Sequence, residues 1–305
     1  MLRYTLLRIA SIVPTLAIVL VLAFTMVHAA PGGPFEDPRA VSPEVKARLE
    51  AQYGLDRPYH EQLLRYTRGV LVGDFGPSYR YPQSRVSELM RAGLSVSFAL
   101  GSIAFIIGLS LGVVLGVAAA LRQNRWSDHL LMAVSMLGIS VPAFVVAPVL
   151  VLVFAITLSW FPVGGMQGTG AFVLPVIALA LPLMAYVARI IRASLLDVLK
   201  SQFIRTARAQ GLSTWTVVVR YAMKPALIPL VSYLGPAIAG VLTGSVVIEQ
   251  VFNLPGCGRL FVQGALNRDY TLIMGLVIVY STLVITLNLL ADIAYGWLDP
   301  RVRYR

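Results

Sequence analysis

The 305-residue sequence predicts an all-α integral membrane protein with six transmembrane helices and both termini cytoplasmic. Composition is the first observation behind this: 57% of residues are hydrophobic and 13% charged, where a soluble domain carries about 25% charged residues. The second is the run of charge-free stretches at 9–35, 92–121, 130–188, 225–248 and 270–291. About 20 mostly apolar residues are enough to cross about 30 Å of hydrocarbon. The third is charge placement. With the N-terminus inside, inner segments hold 14 Lys/Arg against four acids, and outer segments 11 against ten. That asymmetry is the positive-inside pattern. It reads the net charge of +11 as topology and leaves no call for nucleic-acid binding.

The elements follow in order. Span one covers 9–29. Arg3 and Arg8 precede an apolar run that ends in Val27-His28-Ala29, which resembles a signal peptide. The uncharged run is longer than the usual signal core of about 7–15 residues, so a retained span is expected. Residues 30–91 form the largest extramembrane piece, on the outer side. Ser42 suits an N-cap, Pro43 the first helical position, and Gly54 the stop after Tyr53. A second short helix is expected from Tyr59 to Val70, followed by a turn at Gly73-Asp74-Phe75-Gly76-Pro77. Two short helices cannot bury a core of their own. This segment is either a structural cap or a rim for an outside partner.

Span two, 92–121, carries Gly108, Gly112 and Gly116 on one face. Such spacing admits a second helix at close range; lining of a substrate path is the alternative use. The 59 residues from 130 to 188 are too long for one helix, and Trp160 to Ala171 supplies Pro, Gly and aromatic turn chemistry. Spans three and four are therefore placed at 130–159 and 172–193. Pro142 and Pro148 in one, and Pro175 and Pro182 in the other, predict kinks whose freed carbonyls must be satisfied inside protein.

Span five, 226–249, ends in Glu249. Its carboxylate either faces water at the outer boundary or lies beside a translocation path, with Ser245 and Tyr233 of the same span as further candidates for that path. Phe252 to Gly258 reads as a re-entrant or rim-packed turn. Span six covers 272–296, and Asp292 either snorkels to the inner interface or pairs with a cytoplasmic basic residue. Cys257 is the sole cysteine, which excludes an intrachain disulfide.

Between spans four and five lies a polar stretch. Arg189 to Lys224 holds seven Lys/Arg against Asp197 alone. The pattern predicts a helix ended by Gly211 and a second one capped by Ser213, running towards Pro225. Phe203 and Ala207 are expected on one face, Ile204 and Arg208 on another, with Arg205 and Ala209 as a third pair. A helix–glycine–helix elbow joined at both ends to membrane spans is a mechanical lever, but clustered basic residues also suit anionic lipid headgroups. The chemistry alone leaves both readings standing. The resulting divisions are 1–29 (cytoplasmic N-terminus and span one), 30–91 (external segment), 92–298 (a five-helix core with the elbow at 199–224) and 299–305 (a cytoplasmic tail).

No phosphate-binding loop of the form G-x-x-x-x-G-K-[ST] occurs, and no H-E-x-x-H metal motif. His28, His60 and His129 stand apart, and Cys257 has no neighbouring His in sequence. The chain is read as a non-enzyme with no catalytic, cofactor or metal site. If ATP drives it, the ATPase is another chain.

Residues 203–211, FIRTARAQG, resemble the coupling motif of importer-type ABC-transporter permease subunits. The general pattern there is Glu-Ala-Ala, three residues, Gly. Ala207 and Gly211 match it, while Arg205 and Thr206 replace Glu and Ala. The peptide-transporting branch reads Arg-Thr-Ala-Arg-Ala-Lys-Gly, from which this chain departs at Gln210. The stretches APGGPF (30–35), YGLDRP (53–58), GDFGPS (73–78), GSVVIE (244–249), LPGCG (254–258), NRDY (267–270) and LDPRVRY (298–304) extend the resemblance over nearly the whole chain. Lys224-Pro225-Ala226-Leu227 and GDFGPS favour the oligopeptide side of that branch.

The resemblance implies a type I ABC importer permease fold in the bacterial inner membrane. It implies a related six-span permease, two cytoplasmic ATPases that bind Mg-ATP, an external substrate-binding protein and a peptide cargo. Phe203, Arg205, Thr206, Ala207, Arg208, Ala209 and Gly211 are the implied ATPase-coupling residues. Dipeptide, nickel or glutathione cargo is the alternative within the family. A secondary transporter or channel is the alternative outside it, and would call for paired intramembrane ionisable groups and a hydropathy repeat.

Overall fold

The structure is a computed structural model and describes residues 2–35, 43–168 and 170–298. Ser42 and the 299–305 tail lie outside the described residues. The described elements are helical throughout. Helix α1 (Leu2–Ala29) is followed by two short helices, α2 (Pro43–Tyr53) and α3 (Tyr59–Leu71). The long α4 (Val86–Leu121) leads to α5 (Trp126–Ser140) and α6 (Ala143–Leu150), which continues as π-helix over Val151–Thr157. Next comes α7 (Val173–Leu199). The elbow is α8 (Gln202–Ala209), α9 (Thr214–Thr216), a π-helical stretch (Val217–Ala222) and α10 (Met223–Ala226). Then come α11 (Ile228–Val251), α12 (Cys257–Leu266) and α13 (Tyr270–Leu298).

Five helices, α1, α4, α7, α11 and α13, are long and apolar enough to cross a membrane. The third expected span is not one straight helix. α5 and the α6–π segment meet at a bend of 103° and count as a sixth span only if taken together. Pro142 sits at the bend with φ −59° and ψ 142°. It offers no N–H to the preceding turn and biases Val141 away from helical geometry, so the expected kink is a break.

Span two also starts earlier than its charge-free run. The Glu88 carboxylate accepts from the Arg85 N–H at 3.3 Å, so the helix begins at Val86 and carries Arg91 beyond the apolar part. The turns after α2 and α3 sit where glycine is needed: Gly54, Gly73 and Gly76 all have positive φ (70°, 77° and 83°), a region costly to residues with a Cβ.

The core forms where α4 lies along α7. A Cβ on Gly108 would meet Ala180 O at 3.0 Å, one on Gly112 would meet Val187 Cβ at 2.7 Å, and one on Gly116 would meet Ala188 O at 2.6 Å. Leu183, Val187 and Ile191 of α7 fill the space those missing side chains leave and share one core with Leu100 and Ala104 of α4 and Ile248 of α11. Outward-facing positions such as Val13, Met26, Ile106 and Val114 are exposed, as lipid-facing residues are.

Ionic contacts tie the spans at their ends. Arg8 Nη1 lies 3.0 Å from Asp292 Oδ2, joining α1 to α13 through an acid expected to pair with a basic residue. Asp128, fully buried at the start of α5, accepts two bonds from Arg192 of α7: Nε to Oδ1 at 2.6 Å and Nη2 to Oδ2 at 2.7 Å. The Asn124 N–H donates to the same carboxylate at 3.0 Å. This pairing was not foreseen from sequence.

Candidate functional site

The elbow is built by a succession of local signals. α7 runs on to Leu199, and the Ser201 hydroxyl donates to Val198 O at 2.6 Å, closing its end. α8 then runs to Ala209, and Gly211 takes φ +81°, which reverses the chain as an αL stop does. Ser213 Oγ accepts from the Thr216 N–H at 3.3 Å and caps the next helix. From there π-helix and α10 lead directly into α11, so both arms of the elbow continue into membrane spans.

The two faces of α8 differ sharply. Ile204 and Ala207 are buried, packed with Ala120 of α4, Leu195 of α7 and Val217, Val218 and Ala222 of the π segment. Phe203, Arg205, Thr206, Arg208 and Ala209 are exposed. This corrects one expectation. Ala207 turns inward onto the π segment, 4% exposed. The face it shares is with Ile204, three residues back, while Phe203 points out. Gly211 has open space around its Cα, so its requirement is conformational.

Trp215 is 72% exposed on the second arm and was missed in the sequence. An exposed indole on the second arm, with exposed Phe203 and two arginines on the first, gives the elbow aromatic and cationic side chains of the kind enriched at protein interfaces. The signal that could have found it is its place two residues past a cap, before the first buried valine.

The candidate pathway residues do not gather. Glu249 is fully buried rather than facing water. One carboxylate oxygen accepts from the Gly258 N–H at 2.7 Å and the Arg259 N–H at 3.4 Å, capping α12, and the other has no partner among the described residues. A side chain on Gly256 would collide with that carboxylate, which explains the glycine. Ser245 is buried and donates back to Leu242 O at 2.7 Å. Tyr233 lies sixteen residues from Glu249, about 24 Å along a helix, half-buried with its ring 5.9 Å from that of Tyr186. The turn from Phe252 to Gly256 is packed rather than free: Phe252 and Leu254 are buried, and the Gly165 N–H donates to Phe252 O at 2.8 Å. Burial pushes the Cys257 thiol up to about 12.

Two of the sequence stretches meet beyond the ends of the spans. The buried Asp269 carboxylate accepts from the Ser78 hydroxyl, from the Tyr79 and Arg80 N–H groups at 3.2 and 3.3 Å, and from the Leu272 N–H at 3.2 Å. One acid thus caps α13 and pins the strap between α3 and α4. Among the described residues, no three His, Cys, Asp or Glu side chains converge as a metal site would require.

The family described as "Binding-protein-dependent transport system inner membrane component" matches residues 112–304. The chain is 47% identical to the oligopeptide transport system permease protein OppB of Haemophilus influenzae, and 48% identical to that of Salmonella typhimurium, over the full length of both chains in each case. It is 41% identical to the dipeptide transport system permease protein DppB of Bacillus subtilis, over 99% of this chain and 98% of that one. Among solved structures, an inward-facing MetNI methionine ABC transporter superposes with a TM-score of 0.60, covering 69% of this chain and 96% of the other at 16% identity. An amino acid ABC transporter gives 0.56 over 68% and 94% at 19% identity. At these identities the likeness is one of fold.

Proposed function

The chain belongs to the family of binding-protein-dependent transport system inner membrane components, and on that premise we propose that it is the membrane-spanning half-channel of an ATP-driven peptide importer. It couples to a separate ATPase through the elbow at 199–224. Hydrolysis belongs to the partner, which carries the Mg-ATP.

The observation that carries this reading is the construction of the elbow. A partner that grips Phe203, Arg205, Arg208 and Trp215 holds a surface continuous on one side with α7 and on the other with α11. Because Ile204, Ala207, Val217 and Val218 are packed without exposure, the elbow moves as a block. A push on it therefore displaces two spans together. Packed interfaces switch between discrete arrangements more readily than they deform.

The elbow faces the cytoplasm in this proposal, with both termini on the same side, because its five basic residues, with Arg189 and Arg192 just before it, obey the positive-inside pattern. A second six-span permease completes the channel. Two ATPases drive it, and an external binding protein delivers cargo. The scattered placement of Glu249, Ser245 and Tyr233 is consistent with a path that lies between two permeases. The coupling surface consists of Phe203, Arg205, Thr206, Arg208, Ala209 and Trp215, with Gly211 setting its shape.

The likeness to oligopeptide permeases at 47–48% identity and to a dipeptide permease at 41% supports peptide cargo. The deciding experiment reconstitutes this chain with its partner permease, ATPases and binding protein in proteoliposomes. Uptake of labelled peptides of increasing length should require ATP and the binding protein. Uptake that proceeds without ATPase subunits would overturn the proposal.

A further inference from the structure

Helix α3 and the cavity behind it have no part in the coupling described above. α3 is fastened to the C-terminal end of the first span. Tyr59 Oη lies 2.6 Å from Thr25 Oγ1, and His28 Nε2 lies 3.1 Å from Gln62 Oε1. Those contacts hold the first turn of α3 against the last two turns of α1, the end of a helix long and apolar enough to cross a membrane. Leu64, Arg68 and Leu71 follow at helical spacing on one side, and all three are exposed. Leu71 and Val72 are 80% and 81% exposed. Arg65 is exposed as well. Leucines flanked by arginines, on a helix fixed at the end of a span, form the pattern of an in-plane interfacial helix.

Between α3, the end of α1, the 74–79 strap and the start of α13 lies a cavity of about 360 Å³. Its walls include Phe24, Tyr53, Tyr66, Tyr79 and Tyr270, with Arg65 and Asp74 also on its lining. Tyr66 Oη is buried and has no hydrogen-bond partner among the described residues. A buried hydroxyl without a partner is destabilising, so a ligand oxygen that accepts from it is favoured. Burial pushes the phenols of Tyr66 and Tyr79 up, which keeps both neutral and able to donate.

We propose that α3 lies in the outer leaflet interface and that the cavity behind it holds the headgroup of a membrane glycerophospholipid. The Arg65 guanidinium and the Tyr66 hydroxyl meet the phosphate oxygens, which accept from both. The tyrosine and phenylalanine faces receive a headgroup ammonium. The acyl chains continue along the exposed apolar surface of α1 below Thr25 and His28, where Val21 and Ile18 are 45% and 59% exposed. That continuity with a lipid-facing span selects lipid over a soluble anion.

The test uses the intact transporter in nanodiscs, with a bimane label at Leu64→Cys or Leu71→Cys and a control label at Asp56→Cys. Buried Cys257 stays unlabelled. Brominated phospholipids should quench the label several-fold more at 64 and 71 than at 56. Quenching equal to the control, or lost when the binding protein is added, overturns the membrane placement. In a second arm, phospholipid co-purifying with the detergent-extracted transporter should fall several-fold in Tyr66→Phe and Arg65→Ala. Unchanged lipid content overturns the cavity assignment, and so does recovery of bound peptide in its place. Neither arm depends on transport, so failure here is separable from failure of the coupling reading.

Discussion

Gly116→Ala should destabilise the protein even though alanine is the better helix former. The added Cβ would stand 2.6 Å from Ala188 O and 2.8 Å from Ile191 Cβ. The first contact is backbone and cannot rotate aside, so α4 and α7 must part. Overpacking of this kind costs about 1–3 kcal/mol, while replacing a mid-helix glycine returns roughly 0.5–1 kcal/mol. The difference leaves a net loss of up to about 2.5 kcal/mol. Gly112→Ala meets Val187 Cβ at 2.7 Å and Met184 O at 2.8 Å, and should behave alike. Gly108→Ala is milder, with nothing nearer than 3.0 Å. Gly240→Ala has nothing within 4 Å and should be neutral or slightly stabilising. The assay is thermal unfolding of the transporter in nanodiscs, followed by a thiol-reactive dye that reports exposure of Cys257. A Gly116→Ala protein as stable as the parent would refute the claim that the glycine stripe sets the α4–α7 distance.

Three further outcomes follow from the same contacts. Asp128→Asn breaks the bidentate pair and leaves Arg192 without its charge partner; loss of one member of a buried pair costs about 3–5 kcal/mol. The low end applies, because the Arg192 side chain is 26% exposed. Thermal unfolding should show the double change Asp128→Leu/Arg192→Leu to be less damaging than Asp128→Asn alone. Asp269→Asn weakens the bonds to Ser78, Tyr79 and Arg80 and should speed protease cleavage between residues 72 and 82, with α4 and α13 left intact. For Cys257, the folded thiol holds its proton up to about 12, whereas its ordinary value is 9.0. The unfolded thiol therefore ionises first as pH rises, so the contribution of this group is intact below pH 9.0 and is lost between 9.0 and about 12. Alkylation of the native protein at pH 8 should be negligible and should become fast on unfolding.

The spans were legible because charge-free runs of sufficient length have no other use, and the elbow because Gly211 and Ser213 are local stop and start signals. The break at Pro142 was not legible: a proline in an apolar run reads alike whether the helix kinks or ends. The inward turn of Ala207 was also hidden. An eight-residue helix shows its buried face only once the π segment packs on it. Pairings across the chain leave still less trace. Asp128 finds Arg192 sixty-four positions away and Asp269 finds Ser78 at a separation of 191, and no local pattern encodes a partner at that distance. Glu249 read as a boundary carboxylate because its donors are backbone N–H groups, which the sequence does not display.

The central claim is that a foreign ATPase moves α7 and α11 through the elbow, and Gly211→Pro tests it most directly. Proline fixes φ near −65° and cannot take the +81° found here, so the elbow loses its shape while the spans keep theirs. The measurement is the ratio of peptide taken up to ATP hydrolysed in proteoliposomes holding the complete transporter. The account predicts a variant that is inserted and assembled but hydrolyses ATP without importing peptide. A ratio equal to that of the parent would contradict it.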